Sequence, residues 1–369
     1  MSNYDWSRVR DLFPAARKYV YLNAAGAPPM SAPAAAAGRR FYDEMLADGD
    51  VPWEAWLAEV ESVRRTLAAF LGVDAADVAF TDSSSHGMNL VAHMLRGRGD
   101  VVTMRDEFPT ATLPWLQQGY TVRFVPSGAA GVIGIDDIAS AVTDRTRIIV
   151  TSSVQYATGF RQNVGALGTW CRERDLFLVV DACQQIGVLP LDAGSTGVDA
   201  LVFSGYKWPM AGYGVGGLVL TPRLRQSTSS PVAGWMSARD PDRHVNDRLD
   251  LKPSASVVEV GCPAFPGIFA LGAALDLLTG IGMARIEARV HQLTDHLHER
   301  LRGRGFRISS PTDRRHRSAI TIVELQGAHE IVKRLAASGI LVSARGAGVR
   351  FSVHVYNTLD DIDRAVDAL

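Results

Sequence analysis

The sequence predicts an α/β fold built around a largely parallel β-sheet and followed by a smaller α+β domain. Short, β-branched apolar runs alternate with helical patterns through most of the chain, as they do in parallel sheets that are buried on both faces. Beyond residues 263–266 the pattern changes to long helical periodicity followed by short strands and helices. With 369 residues, of which 47% are hydrophobic, the chain can bury one large core and one smaller core.

The elements of the first domain follow from periodicity and turn residues. Apolar side chains recur at three- and four-residue steps from Trp53 to Phe70 and stop before Gly72, which predicts a helix with a glycine after its end. A second helix is predicted to begin near Ser85. The apolar runs typical of buried strands are residues 78–80, 101–104, 122–125, 147–151, 176–181, 200–204 and 217–220. The sequence leaves the order of these strands open.

The last hundred or so residues are predicted to form the second domain. Helical periodicity dominates residues 268–301, with one apolar stripe formed by Ile286, Val290, Leu293, Leu297 and Leu301. Further elements are predicted at residues 319–323, 329–337, 340–343 and 349–353. A last helix is predicted after Thr358, which forms a capping box with Asp361. We therefore predict a segment at 1–20 that packs on the small domain, a large domain at 21–265 and a small domain at 266–369.

Composition excludes several classes of partner. The net charge of -1 gives no electrostatic attraction for nucleic acid or for an anionic membrane, so we expect a small-molecule substrate. The chain begins without a signal peptide, and no apolar run reaches the roughly 18 residues of a membrane span, so we expect a cytoplasmic protein. The cysteines, Cys171, Cys183 and Cys262, show neither CxxC nor zinc spacing, which argues against disulfides and a metal site.

Two residues at predicted strand ends indicate the chemistry. Asp181 ends one strand, and Lys207 follows the next one beside Gly205 and Trp208. A pyridoxal phosphate enzyme needs such a pair, because the acid keeps the pyridine nitrogen protonated and the lysine forms a Schiff base. A strand-terminal acid is about as often a helix cap, and such a lysine is more often an exposed turn residue. Since burying a lysine is costly, the pair favours the cofactor hypothesis without deciding it.

Three consecutive serines, Ser83, Ser84 and Ser85, lie between a predicted strand end and a predicted helix start. Free N–H groups and the positive end of the helix dipole make such a position a good anion site, and hydroxyl groups add donors. The segment would suit a cofactor phosphate. Taken alone it is explained more simply as helix capping, for which serine is favoured.

Together, these motifs resemble the class V aminotransferase superfamily, which belongs to fold type I of the pyridoxal phosphate enzymes. The resemblance is to the branch of cysteine desulfurases and isopenicillin N epimerase-like proteins. It runs from Tyr21-Leu22-Asn23-Ala24-Ala25-Gly26 to Tyr356-Asn357-Thr358. It implies a large, mostly parallel seven-stranded sheet domain, a smaller C-terminal α+β domain, pyridoxal 5'-phosphate as cofactor, and a homodimer with shared active sites.

The resemblance also implies roles for individual residues. Lys207 would form the Schiff base and Asp181 would pair with the pyridine nitrogen. The remaining cofactor contacts would be Gln184 at the phenolic oxygen, Ser84, Ser85, Ser204 and Tyr206 at the phosphate, and Phe108 stacked on the ring. Cys262 stands where relatives often have a threonine that reaches the phosphate in the partner subunit.

The same resemblance assigns the substrate contacts. Arg350 matches the arginine that holds the substrate α-carboxylate with two parallel hydrogen bonds, the alternative being a surface ion pair. Asn23 and Tyr156 would also face the substrate, and Tyr156 stands where desulfurases carry asparagine. Apart from the resemblance, Arg345 lies in the loop before Arg350 and would add a second contact for a polar or acidic substrate tail, although a solvated loop arginine explains it equally well.

One departure from the family pattern bears on the reaction. Desulfurases take sulfur onto a loop cysteine shortly before the carboxylate-binding arginine, and residues 343–349 contain none. We therefore expect a β-eliminating C–S lyase of specialised metabolism that acts on a cysteine S-conjugate, with Lys207 removing the Cα proton. Cys183 and Cys262 are expected to serve as small packing residues.

Other functions stay open. An aminotransferase or an amino acid epimerase would use the same first step, and a non-catalytic regulator that binds pyridoxal phosphate is a remote alternative. A nucleotide-binding dehydrogenase is disfavoured, because the glycine-rich residues 212–217 run into a predicted strand rather than a helix.

Overall fold

The computed structural model describes residues 4–128, 131–346 and 348–369. The chain begins with two short helices and a strand, α1 (Trp6–Asp11), α2 (Pro14–Lys18) and β1 (Val20–Tyr21). The helices of the next part are α3 (Ala32–Asp48), α4 (Trp53–Leu71), α5 (Ser84–Met94), α6 (Pro109–Gln117), α7 (Ile135–Ala141), α8 (Val164–Arg172) and α9 (Pro222–Ser227). Its strands are β2 (Val78–Thr81), β3 (Asp100–Met104), β4 (Val122–Val125), β5 (Thr146–Ser152), β6 (Phe177–Asp181), β7 (Ala200–Ser204) and β8 (Gly216–Leu220).

The C-terminal part is an α+β arrangement. Its helices are α10 (Phe265–Ile281), α11 (Met283–Gly303), α12 (Ala328–Ala337) and α13 (Leu359–Asp367). Its strands are β9 (Ile320–Glu324), β10 (Ile340–Leu341), β11 (Ser343–Arg345) and β12 (Gly348–Ser352). Strands β9, β11 and β12 form an antiparallel sheet with β12 in the centre, while β10 pairs in parallel with β1.

The large sheet confirms the predicted fold class. Its seven strands follow the order β2-β8-β7-β6-β5-β3-β4, in which β8 runs antiparallel to both neighbours and the other pairs are parallel. Strands β6 and β7 are neighbours near the centre. Asp181 at the end of β6 and Ser204 at the end of β7 therefore lie at the same edge of the sheet, where α/β proteins bind their ligands.

The sheet strands are apolar because helices cover both of their faces. Along β6, Leu178 and Val180 enter the core shared with α4 and α10, whereas Val179 enters the core shared with α5. Alternate residues of one strand thus supply two cores, and neither face reaches water. This arrangement explains why the strands appear in the sequence as short continuous apolar runs.

A separate core joins the first residues of the chain to the C-terminal part. Val9 and Phe13 of the N-terminal segment are buried in it with the α11 stripe around Leu293. Helix α10 contributes Leu271 to the sheet core and Leu278 to this second core. The domain limits stay a prediction, since one helix serves both cores at the boundary.

Two predicted elements are each divided in the structure. The helical region at 268–301 consists of α10 and α11, which are separated by Gly282 at a φ of 91°. A positive φ suits glycine and ends the first helix there. The predicted strand at 340–343 is divided between β10 and β11, which belong to different sheets. The capping box is confirmed, since the Thr358 hydroxyl accepts the Asp361 N–H and the Asp361 carboxylate accepts the Thr358 N–H.

Within the described residues, no single helix is long and apolar enough to cross a membrane. Helices α10 and α11 pass that test only as a pair, with a bend of 78° between them.

Candidate active site

One cavity at the carboxyl edge of the large sheet collects most of the predicted site residues. Its walls come from both parts of the chain, since the α10-to-C-terminal part contributes the β11–β12 hairpin. The lining residues are Ala25, Ser84, Phe108, Ser152, Tyr156, Asp181, Cys183, Gln184, Tyr206, Lys207, Arg345 and Arg350. Asn23, Ser85, Ser204 and Cys262 do not line this cavity, and their positions are described below.

Lys207 points to the turn that follows β1. Its ammonium donates hydrogen bonds to the carbonyl oxygens of Ala25 at 3.1 Å and Gly26 at 2.5 Å. Burial lowers the pKa of Lys207 to about 8, and the positive charges of Arg350 and Arg345 contribute to the lowering. A lysine with this pKa is partly neutral near pH 7, as a nucleophile or general base must be.

Asp181 is a buried acid without an ion-pair partner among the described residues. Its Oδ1 accepts the Cys183 N–H at 2.9 Å. Burial raises the pKa of Asp181, while the hydrogen bonds from Cys183 and the charge of Lys207 lower it. A cation placed next to this carboxylate would offset the cost of burying its charge. The protonated pyridine nitrogen of pyridoxal phosphate is such a cation.

Glu107 is a functional candidate that sequence reasoning missed. Its carboxylate accepts hydrogen bonds from the Ser152 N–H at 2.7 Å, the Gln155 side chain at 2.6 Å and the Ser152 hydroxyl. Burial raises the pKa of Glu107 to about 7, although these hydrogen bonds oppose the rise. Because Ser152 lies opposite Asp181 in the sheet, Glu107 fixes the strand end beside the acid. Its only sequence signal is its place between a predicted strand and Phe108.

The serines meet at the start of α5. The Ser204 hydroxyl accepts the Ser84 N–H at 3.0 Å and donates to the Ser84 hydroxyl at 3.1 Å. Ser83 caps the helix by accepting the His86 N–H, so the hydroxyls of Ser84 and Ser85 are not used for the cap. The Ser85 hydroxyl lies 2.7 Å from that of Thr110 at the start of α6. Hydroxyls and free N–H groups at a helix N-terminus fit a phosphate group.

Gln184 and Asn23 support the turn that receives Lys207. The Gln184 amide donates to the Ala25 carbonyl at 3.1 Å and accepts the Trp208 indole N–H at 2.8 Å. Asn23 packs against Gly26, where an added Cβ would lie 2.7 Å from Asn23 Oδ1. This buried Oδ1 has no hydrogen-bond partner in the described part of the chain. Asn23 therefore stands behind the turn, outside the cavity wall.

Arg350 is fully buried in the centre of β12. Its Nε donates to the Ser343 hydroxyl at 3.1 Å and its Nη1 to the Tyr156 carbonyl at 3.2 Å. The predicted alternative, a surface ion pair, does not fit this position. The Tyr156 ring meets Phe108 edge to face at 5.2 Å, and Phe108 is about half exposed at the cavity rim.

Tyr206 and Cys262 occupy different surroundings. The Tyr206 ring stacks on Tyr213 at 4.4 Å, with the Lys207 ammonium 4.7 Å from its centre. Cys262 is exposed in a separate concavity beside Asp82 and His86, so a single chain does not bring it to Lys207. The cofactor contact predicted for Cys262 stays a prediction that depends on a partner subunit.

The sequence matches the family described as aminotransferase class V over residues 20–365. The chain belongs to this family. Pyridoxal phosphate is the cofactor of class V aminotransferases, and the protein is a pyridoxal phosphate-dependent enzyme of the desulfurase-like or aminotransferase type. The described residues include no group of three or more histidines, cysteines or acids that could hold a metal ion.

Known proteins similar to this class V chain include desulfurases and a lyase. A probable cysteine desulfurase of Methanothermobacter thermautotrophicus is 27% identical, covering 96% of this chain and 94% of that protein. The apo structure of a cysteine desulfurase from Thermococcus onnurineus NA1 has a TM-score of 0.90 at 24% identity, covering 98% of this chain and 96% of that one. The cystine C–S lyase C-DES, in complex with its reaction product cysteine persulfide, has a TM-score of 0.88 at 22% identity. The match covers 96% of this chain and 98% of that one. These structures establish the fold.

Proposed function

We propose that the protein is a β-eliminating C–S lyase that acts on a cysteine S-conjugate. The observation that carries the proposal is a cavity lined by the Lys207 amine in which Cys183 is the only lining cysteine among the described residues. Cys171 and Cys262 lie outside the cavity lining, and Cys183 is buried beside Asp181, where burial raises the pKa of its thiol. A thiol held in its protonated form is a poor sulfur acceptor. The sulfur would therefore leave as a free thiol.

The residues of the large sheet are suited to hold pyridoxal phosphate. Lys207 would bind its aldehyde carbon covalently, and Asp181 would pair with its ring nitrogen. The start of α5, with Ser84 and Ser204, would hold the phosphate. Phe108 would stack on the ring, Tyr206 would donate to the phosphate, and Gln184 would face the phenolic oxygen. These assignments rest on the placement of the side chains around one cavity and on the family.

When bound, the cofactor withdraws electrons from the substrate Cα and makes its C–H bond acidic. Arg350 would bind the substrate α-carboxylate and so fix which Cα bond can break. Lys207 would remove the Cα proton, because its lowered pKa leaves it partly neutral. The Cβ–S bond would then break, with the electron pair of the former C–H bond expelling the thiolate.

The overall reaction balances without an oxidant or a reductant. One S-substituted cysteine and one water would give one thiol, one pyruvate and one ammonium ion. Lys207, which carries the abstracted proton, can return it to the departing thiolate. The enamine that is released from the site would hydrolyse in water to pyruvate and ammonia.

The structure of the cystine C–S lyase C-DES supports this proposal, because that protein shares the fold and yields cysteine persulfide from cystine. Cystine is itself a cysteine S-conjugate. The sequence similarity to probable cysteine desulfurases agrees with sulfur-containing amino acids as substrates. The homodimer with shared active sites and the cytoplasmic location belong to the same proposal, and in a homodimer the exposed Cys262 would be free to face the partner subunit.

The test is incubation of the holoenzyme with a series of S-substituted cysteines. We expect thiol, pyruvate and ammonia in equal amounts, measured with a thiol reagent, lactate dehydrogenase and glutamate dehydrogenase. L-Alanine in heavy water is the control, since it has no leaving group and should exchange its Cα hydrogen without forming pyruvate. Amino transfer to a keto acid without thiol release would instead establish the aminotransferase, and inversion at Cα the epimerase. No exchange or product with any amino acid would favour a regulator.

A further inference from the structure

Two arginines reach the cavity from one hairpin. Strand β11 pairs antiparallel with β12, so that Ser343 lies opposite Arg350 and Arg345 lies opposite Gly348. Side chains alternate along a strand, and Arg345 therefore shares a face with Ser343 and Arg350. Ala344 points the other way and packs on the second core. Both guanidinium groups line the same cavity as Lys207.

The hydrogen-bonding capacity of these arginines is only partly used. Arg350 has two bonds, to Ser343 and Tyr156, and its Nη2 is buried without a partner. Arg345 donates from Nη1 to the Ala344 carbonyl at 2.7 Å, and its Nε is buried without a partner. In the described ranges neither arginine forms an ion pair. Partly buried cations without a counter-charge are costly unless a ligand supplies it.

The two positive charges act on each other. Burial is the main cause that lowers the pKa of Arg350 to about 9, and the charge of Arg345 contributes to this lowering. Arg350 still carries its charge at neutral pH. The buried acids of the site are used elsewhere, since Glu107 accepts from Ser152 and Gln155 and Asp181 lies at the cofactor end. An α-carboxylate on Arg350 would therefore leave one positive charge uncompensated.

We propose that Arg345 binds a second anionic group, so that the substrates are cysteine S-conjugates whose S-substituent ends in a carboxylate. This inference rests on the proposed function for the identity of the amino acid. Diagonal neighbours on a sheet face are about 7–8 Å apart, a spacing that a short acidic substituent can bridge. Arg345 would thus have a specific role in the segment before Arg350, residues 343–349, which contains no cysteine.

The test compares two isosteric compounds, S-carboxymethyl-L-cysteine and S-carbamoylmethyl-L-cysteine, which differ only in the charge of the terminal group. Each is titrated into the holoenzyme, and binding is followed by the change in the visible absorption band. We expect the acid to bind roughly 10- to 100-fold more tightly than the amide, as the loss of one charge-assisted hydrogen-bond pair implies. The ratio of kcat/KM values for pyruvate release should show the same preference.

The variants assign this preference to a residue. Arg345→Met should reduce the acid-to-amide ratio to about 1, and Arg345→Lys should retain part of it. Arg307→Met, at an exposed arginine of the same part of the chain, should keep the wild-type ratio. Equal affinities in the wild type, or a preference that survives in Arg345→Met, would overturn the proposal.

The two proposals fail in different ways. If the acid binds more tightly but neither compound releases pyruvate, the lyase proposal fails and the role of Arg345 stands. If both compounds release pyruvate with equal affinity, the lyase proposal stands and the role of Arg345 fails.

Discussion

The two ends of the cavity differ in how they are built and charged. The end proposed to hold the cofactor, called the cofactor end below, consists of strand ends of the large sheet, where Asp181 is a buried acid and Ser84 begins a helix. The end proposed to bind the substrate, called the substrate end below, is the β11–β12 hairpin, which contributes the two cations Arg345 and Arg350 and no acid. Each end therefore lacks a charge that its ligand would supply, a ring cation at one end and carboxylates at the other. Lys207 lines the same cavity, and the charges of both Asp181 and Arg350 act on its pKa.

The largest effect is expected at Lys207, which serves both ends. Lys207→Ala should abolish the visible absorption band and lower turnover by at least about 10³- to 10⁴-fold, because the covalent link and the base are lost together. Spectroscopy and pyruvate release measure the two losses. Lys333→Ala, at an exposed lysine paired with Glu330, is the control and should change neither. Near-normal turnover in Lys207→Ala would refute the assignment of the whole site.

The next largest loss of activity is expected at Asp181. A comparison with Asp199 of the same sheet should distinguish an acid of the proposed site from an acid that stabilises the fold. Asp181 has no ion-pair partner in the described chain, whereas Asp199 pairs with Arg223 at 2.9 Å and accepts the Leu178 N–H. Asp181→Asn should lower kcat roughly 10²- to 10³-fold, because the ring cation loses its counter-charge. Asp199→Asn should instead lower the free energy of unfolding by about 1–3 kcal/mol and leave kcat unchanged.

Denaturant unfolding of the apoproteins sharpens this contrast. Asp181→Asn should leave the free energy of unfolding of the apoprotein unchanged or raise it, since an isolated buried acid is removed. A large loss of stability in Asp181→Asn with normal turnover would reverse the roles of the two aspartates.

The residues of the proposed cofactor end could be picked out from the sequence because they follow local patterns. A buried strand shows its end by the change from apolar to turn residues. Asp181 is the last residue of such a strand, and Ser84 and Lys207 each follow one. Glu107 could not be found in this way, because Ser152 and Gln155 give it a role only after folding brings β3 and β5 together.

The division at Gly282 and the role of Arg345 were harder to predict for other reasons. Helix α10 is apolar on most of its surface, so its periodicity gives no sign of where it ends. Arg345 lies in a short strand, and only its pairing with β12 decides which way its side chain points. The antiparallel register thus decides whether the Arg345 side chain faces the cavity or the solvent. A single sequence does not reveal that register.

The smallest expected effect is a shift in the pKa of Lys207 when a charge at the substrate end is removed. Only the neutral amine can attack the cofactor aldehyde, so the rate at which the apoenzyme bonds to added pyridoxal phosphate should rise with pH and level off above the lysine pKa, about 8. Burial is the main cause of this low pKa, and the charge of Arg350 lowers it as well.

Arg350→Met removes a positive charge, so the pKa of Lys207 should rise and the midpoint of the pH profile should move to higher pH by roughly half a unit. At pH 7 the variant should therefore react more slowly, while its rate at high pH should match the wild type. Stopped-flow absorbance from pH 6 to 10 measures both, with Arg307→Met as the charge-matched control. An unchanged midpoint would mean that burial alone sets the lysine pKa, and the two ends of the cavity would then be electrostatically independent.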